Sequence, residues 1–179
     1  MADVRRSKLL SFWLRHAPHK ASLTLDDSGW APTTGVLNAL SLAELPTSLG
    51  ELEAIVATSD KQRFELTPEK DRIRARQGHS VSIKGDWPIA SPPDLLYHGT
   101  APQFVGAILR EGLVRGRRHH VHLSSTIDTA AAVGRRRGAP VVLEVAARKM
   151  AEDEFVFRLS SNGVWLTEHV PPRYLRQLT

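Results

Sequence analysis

The sequence predicts an α+β protein made of two lobes, and three observations carry that prediction. Near the middle of its 179 residues, positions 83–94 hold three prolines without periodic patterning and read as a linker. Before them, segments of helical periodicity give way to two segments that alternate with period two. After them, short β-rich segments are interleaved with helical ones. Residues 1–82 and 95–179 are therefore expected as separate lobes.

In the first lobe, Ser7 to Arg15 predicts a helix. Leu9, Leu10, Phe12, Trp13 and Leu14 share one broad face at about 100° per residue, with Lys8, Ser11 and Arg15 opposite, and Pro18 ends it. A short helix is expected after Thr33 or Thr34. Ser48 and Glu51 form a capping box that opens a third helix through Leu52, Ile55 and Val56. Arg63-Phe-Glu-Leu and Arg72-Ile-Arg-Ala-Arg then alternate around Thr67-Pro-Glu-Lys-Asp, which predicts a hairpin. Three helices and a terminal hairpin are the parts of a winged helix.

The second lobe opens with a short strand, Leu95-Leu-Tyr-His-Gly-Thr. Thr100 and Gln103 read as a capping box, with Pro102 near the first helical position, for a helix through Phe104, Ile108 and Leu109 to Gly112. Val121-His-Leu-Ser is a further strand. Ser125 and Asp128 read as another capping box, opening a helix through Ala130 and Val133 that ends near Gly138. Three β-rich segments follow: Pro140-Val-Val-Leu-Glu-Val, Glu154-Phe-Val-Phe-Arg-Leu and Gly163-Val-Trp-Leu-Thr. Short strands flanked by two helices complete the α+β expectation.

Composition narrows the chemistry. Hydrophobic residues make up 41% and charged residues 24%, a globular balance. No apolar run approaches the roughly 18 residues of a membrane span. The charged start, without an apolar h-region, lacks the marks of a secretory signal, so a cytoplasmic protein is expected. Cysteine is absent, which excludes disulfides, thiolate nucleophiles and Cys-bearing metal sites. The net charge is +5, and 18 of the 24 basic residues are arginine. Arginine's planar fork fits phosphate bidentately, so a phosphorylated ligand or nucleic acid suits this bias, although genomic composition enriches arginine too.

Several residues are candidates for chemistry. Arg15-His16 ends the first helix at a proline-bounded turn, where cations also complement the helix dipole. Arg63 opens a strand, where a solvated edge cation is the plain alternative. His98-Gly99-Thr100 sets an imidazole at a strand end beside a helix start, where a ligand's phosphate or ribose can approach backbone closely; a structural His with a turn glycine is the alternative. In His119-His120-Val-His122, His120 and His122 share a strand face without a nearby carboxylate, a poor metal-ligand set, and no metal is expected. His122-Leu123-Ser124 reads better as one inward His on a strand. Of Arg135, Arg136 and Arg137, at most one or two can enter a site. No nucleophile elbow, Walker motif or dinucleotide fingerprint is present.

Taken in order, these segments closely resemble the RNA 2′-phosphotransferase family: Ser7-Lys-Leu-Leu-Ser-Phe-Trp-Leu-Arg-His-Ala-Pro, Leu23-Thr-Leu-Asp-Asp-Ser-Gly-Trp, Arg72-Ile-Arg-Ala-Arg-Gln-Gly-His-Ser, Leu96-Tyr-His-Gly-Thr, Val121-His-Leu-Ser, Val133-Gly-Arg-Arg-Arg-Gly and Gly163-Val-Trp-Leu-Thr. The resemblance spans nearly the whole chain. It implies an N-terminal winged-helix RNA-binding lobe and a C-terminal ADP-ribosyltransferase-like lobe that binds NAD⁺, a consumed co-substrate. An internal RNA 2′-phosphate would attack the nicotinamide riboside carbon, and the ribose 2″-hydroxyl would then attack that phosphate. The products are RNA with a free 2′-hydroxyl, ADP-ribose 1″,2″-cyclic phosphate and nicotinamide.

By the same resemblance, the family's Arg-His-Arg-Arg set falls on Arg15, His16, Arg63 and Arg136. Relatives usually read Gly-x-Arg-His-Gly, and Arg137 stands in place of that His. His98, Gly99 and Thr100 match one NAD motif, and His122, Leu123 and Ser124 the other. Val164 lies where many relatives of the ADP-ribosyltransferase fold carry a catalytic Glu, which argues against a protein-modifying transferase. The expected partners are RNA bearing an internal 2′-phosphate and NAD, with no membrane and the chain as a monomer. Two alternatives stand: an ADP-ribosyltransferase that caps terminal phosphates of RNA or DNA, and a non-enzymatic winged-helix binder whose second lobe senses NAD.

Overall fold

The computed structural model describes residues 2–59, 62–135 and 139–178. The chain divides into two units, Met1–Asp86 and Trp87–Thr179, and the fold is α+β.

In the first unit, α1 (Ala2–Arg15) starts earlier than the periodicity indicates. Leu10, Trp13 and Leu14 are buried, whereas Phe12 is 45% exposed. The apolar stripe is therefore narrower than expected, because Phe12 lies about 150° around the helix from the centre of those three. A 3-10 turn, Pro18–Ala21, follows. β1 (Ala31–Pro32), α2 (Thr33–Leu42) and α3 (Leu49–Ala57) come next. The Ser48–Glu51 capping box forms in full, with Ser48 Oγ accepting from the Glu51 N–H and the Glu51 carboxylate accepting from the Ser48 N–H. β2 (Phe64–Leu66) and β3 (Arg72–Ala75) make the expected hairpin. β1 adds to it, so the antiparallel order is β1-β3-β2.

Alternation on β3 buries Ile73 and Ala75 against Leu10, Leu14, Val36, Leu40, Leu52 and Phe64. Each such aliphatic side chain removed from water contributes about 1.5–3 kcal/mol. Arg72 and Arg74 point the other way. The Arg74 guanidinium lies 4.4 Å from the Trp30 ring and donates to Glu65 and Asp86.

The second unit contains β4 (Leu96–Thr100), α4 (Pro102–Glu111), β5 (Leu113–Val114), β6 (Val121–Leu123), α5 (Ile127–Gly134) and β7 (Val141–Val145). After these come α6 (Ala147–Glu152), β8 (Phe157–Leu159), β9 (Trp165–Thr167), β10 (His169–Val170) and β11 (Leu175–Gln177). Two three-stranded antiparallel sheets, β11-β7-β4 and β6-β9-β8, enclose a core of Leu96, Leu123, Leu143, Val145, Met150, Phe157 and Trp165. A Tyr97–Ser124 bridge couples β4 to the end of β6, with N–H···O distances of 2.8 and 2.9 Å in the two directions.

Two expected caps are not made. Thr100 is buried and paired with Val141 as the last residue of β4, so Ala101 precedes α4 without a side-chain cap. Ser125 Oγ instead accepts from the Trp165 indole at 3.2 Å, and Thr126 caps α5 by accepting from the Thr129 N–H.

Of residues 83–94, Ile83 is buried, and the Lys84 and Gly85 N–H groups donate to the Asp27 carbonyl in the first unit. Ala90 donates to the Phe157 carbonyl and Ile89 bridges to Arg158 in the second. Among the described residues, no helix is long and apolar enough to cross a membrane.

Candidate active site

The end of α1 leaves carbonyls without helical partners. The segment after β3 returns to satisfy one of them: the Ser80 and Val81 N–H groups both donate to the Arg15 carbonyl, at 2.8 and 3.3 Å. The turn into that segment passes through Gly78 at φ +87°, a left-handed conformation that favours glycine. The Ser80 side chain also settles a ring, since its Oγ lies 2.9 Å from His16 Nδ1. Arg15 Nη2 reaches the Arg63 carbonyl at 3.5 Å, and Arg63 Nη1 donates to Ser59 Oγ at 3.3 Å. Arg15, His16 and Arg63 thus meet at one end of α1, although 48 residues separate the two arginines. Glu65, the nearest acid in sequence, is already bound to Arg74 and Arg76. Guanidiniums and an imidazole are side chains suited to a dianionic phosphate.

In the second unit the Tyr97–Ser124 bridge sets His98-Gly99-Thr100 beside His122-Leu123-Ser124. His98 Nδ1 donates to the His122 carbonyl at 3.1 Å. A carbonyl only accepts, so Nδ1 carries the proton, and a neutral ring leaves Nε2 as an acceptor. Burial favours that neutral form, holding the His98 pKa below the ordinary imidazole value; the Arg118 charge adds to the effect, while the bond to His122 opposes it. His98 is the middle residue of β4, paired with Leu143, and an acceptor imidazole there suits a ribose hydroxyl such as NAD⁺ carries.

Gly99 has a packing reason of its own. A Cβ there would lie 1.7 Å from the Ala130 carbonyl oxygen of α5, so the close backbone approach at this position is made by a helix. Thr100 and Leu123 are strand residues with buried side chains, and Ser124 follows β6 as the bridge partner of Tyr97. Arg136, with Arg137 and Gly138, lies outside the described residues.

Sequence reasoning missed two participants. Ser80 is one, since its link to His16 spans 64 residues. The other is Arg118, whose Nη1 lies 3.4 Å from His122 Nδ1. Its position four residues before His122, in a basic run, was the one signal that could have found it. His120 meets the Trp87 ring edge-on at 5.4 Å. Among the described residues, no three His, Cys, Asp or Glu gather where they could hold a metal ion.

The profile of the family described as "RNA 2'-phosphotransferase, Tpt1 / KptA family" matches residues 1–169. A Streptomyces coelicolor protein named "Probable RNA 2'-phosphotransferase" is 49% identical over 173 residues, covering 97% of this chain and 94% of the relative. Relatives with the same name from Agrobacterium fabrum and Burkholderia lata are 50% and 46% identical over 94% and 98% of this chain, and 91% of each relative is covered. The chain belongs to the RNA 2′-phosphotransferase family.

Proposed function

We infer that the protein is an NAD⁺-dependent RNA 2′-phosphotransferase, with the first unit as a winged-helix RNA-binding lobe and the second as an ADP-ribosyltransferase-like NAD-binding lobe. The observation that carries this reading is the meeting of Arg15, His16 and Arg63 at the α1 end. NAD⁺ supplies an electrophilic riboside carbon to which the RNA 2′-phosphate is joined as neutral nicotinamide departs, and a vicinal hydroxyl for the later cyclisation.

A 2′-phosphate is already an anionic nucleophile, so Arg15 and Arg63 need only position it and offset its charge. Cyclisation adds a proton transfer and charge on phosphorus. His16, its ring oriented by Ser80, serves that step as acid–base or donor. His98 holds a ribose hydroxyl through Nε2, and His122 is kept in place by Arg118. Arg136 or Arg118 completes the cationic set.

The test is incubation with NAD⁺ and an internally 2′-phosphorylated oligoribonucleotide, following RNA and nicotinamide together. Formation of 2′-hydroxyl RNA and free nicotinamide in equal amounts supports the reading. RNA that keeps an ADP-ribosyl group as its end product would favour the phosphate-capping alternative. No NAD⁺ requirement would overturn both.

A further inference from the structure

The sheet β6-β9-β8 has one face in the core and one turned away from it. Val121, Leu123, Phe157, Trp165 and Thr167 are buried on the first. The second carries the cross-strand row His122, Leu166 and Arg158. Beyond His122 on that face is a cavity of about 390 Å³ lined by Arg115, His119, His120, Arg158 and Glu168 over an apolar floor of Val156 and Leu166. His98, Gly99, Thr100, His122, Leu123 and Ser124 do not line it.

Its two arginines differ from three others in this unit. Arg110, Arg148 and Arg176 each pair with a carboxylate. Among the described residues Arg115 and Arg158 pair with none: Arg115 donates to the His119 carbonyl at 3.5 Å and Arg158 to the Trp87 carbonyl at 2.9 Å. Both hydrogen bonds hold a guanidinium at the cavity without neutralising it. Burial first, then His119, Arg158 and Arg115, hold the His120 pKa below its ordinary value, with only Glu168 opposing. The Arg115 and Arg158 charges therefore both act on His120.

We propose that this cavity is a nucleotide subsite that takes a backbone phosphodiester of the RNA strand flanking the 2′-phosphorylated nucleotide. The inference rests on the reading under Proposed function, in which RNA brings a chain of phosphodiesters to the protein and NAD⁺ is held at the His98–His122 junction. Arg115 and Arg158 bind the phosphate, Glu168 accepts from a ribose hydroxyl, and the exposed Val156 lies under the apolar part of the nucleotide.

Binding of a fluorescent 2′-phosphorylated oligoribonucleotide, measured by anisotropy across a salt series, decides the matter without turnover. Arg115→Gln with Arg158→Gln is expected to weaken RNA binding about tenfold and to reduce the slope of log affinity against log salt by roughly 0.7 for each phosphate left unneutralised. The KM for NAD⁺ and kcat are expected to stay within twofold. Arg115→Gln alone, on an exposed side chain, gives a smaller shift of the same kind if the Arg158 change harms folding. Arg110→Gln, an exposed arginine elsewhere in the unit, leaves the slope unchanged. An unchanged RNA slope in both Arg115 variants would overturn the proposal, as would a rise in KM for NAD⁺ with RNA affinity intact. Absence of turnover in the unaltered protein would instead overturn the functional reading, and the binding comparison would still stand.

Discussion

At position 99 a single methyl group decides whether α5 can lie on β4. The ideal Cβ would fall 1.7 Å from the Ala130 carbonyl oxygen, 2.6 Å from its carbon and 3.0 Å from the Gly134 nitrogen, all backbone atoms that cannot rotate aside. Gly99→Ala is therefore expected to cost roughly 3 kcal/mol or more through forced backbone displacement. Urea denaturation checks this against Gly50→Ala, in a helix with nothing within 4 Å, which should hold or gain stability. Equal midpoints for the two variants would refute the packing role of Gly99.

His98 gives a second residue-scale prediction, in pH. Its folded-state pKa lies below the unfolded one, so above the ordinary imidazole value of about 6.5 both states are neutral and the group adds no penalty. As pH falls below that value the unfolded chain binds the proton first, and stability drops until pH passes the folded-state value. His98→Gln should remove that loss, so its stability deficit relative to the unaltered protein shrinks between pH 7.5 and 5.5. A constant deficit across that range would count against a desolvated neutral His98.

Among the elements, the legible ones had a signal of their own. α3 has a complete capping box, and the β2–β3 hairpin has alternation on both arms. α6, with six residues, and the two-residue strands β1, β5 and β10 lack enough length for a period to show. Their form is set by partners distant in sequence, as when β10 pairs Val170 with Leu113. The failed caps at Thr100 and Ser125 have the same origin, since a strand and an indole had claims on those side chains.

The candidate site divides likewise. Arg15, His16 and Arg63 were visible as residues, but the segment that orients His16 returns from beyond β3 and left no local mark. Ser80→Ala should therefore lower kcat about tenfold while leaving stability unchanged, because the exposed hydroxyl orients His16 and the Ser80 N–H still caps α1. An unaltered kcat would remove Ser80 from the positioning role. Arg118 and Arg136 compete for the fourth cationic place. Arg118→Ala is expected to cost at least 10²-fold in kcat/KM if the guanidinium beside His122 meets the reacting phosphate, and a larger loss in Arg136→Ala would assign the place to Arg136.

For the whole molecule, the two candidate clusters make different demands on a two-step reaction. The α1 cluster offers cationic forks and an imidazole for a phosphate, whereas the His98–His122 junction offers a neutral acceptor for a sugar. Joining phosphate to the riboside carbon requires a held dinucleotide and no proton transfer, so His98→Ala should slow that first step and raise KM for NAD⁺, with RNA binding intact. Cyclisation requires a proton transfer and donors for a phosphorus centre that gains charge in its transition state. His16→Ala should then slow the second step by roughly 10²-fold or more and the first far less. The resulting imbalance would accumulate ADP-ribosylated RNA, seen as a slower band on a denaturing gel, with nicotinamide released ahead of 2′-hydroxyl RNA. In His98→Ala the two products should instead rise together and slowly, with no extra band. A His16→Ala protein that releases neither product, and traps no intermediate at any time, would show that His16 acts before cyclisation and would reverse this assignment of steps.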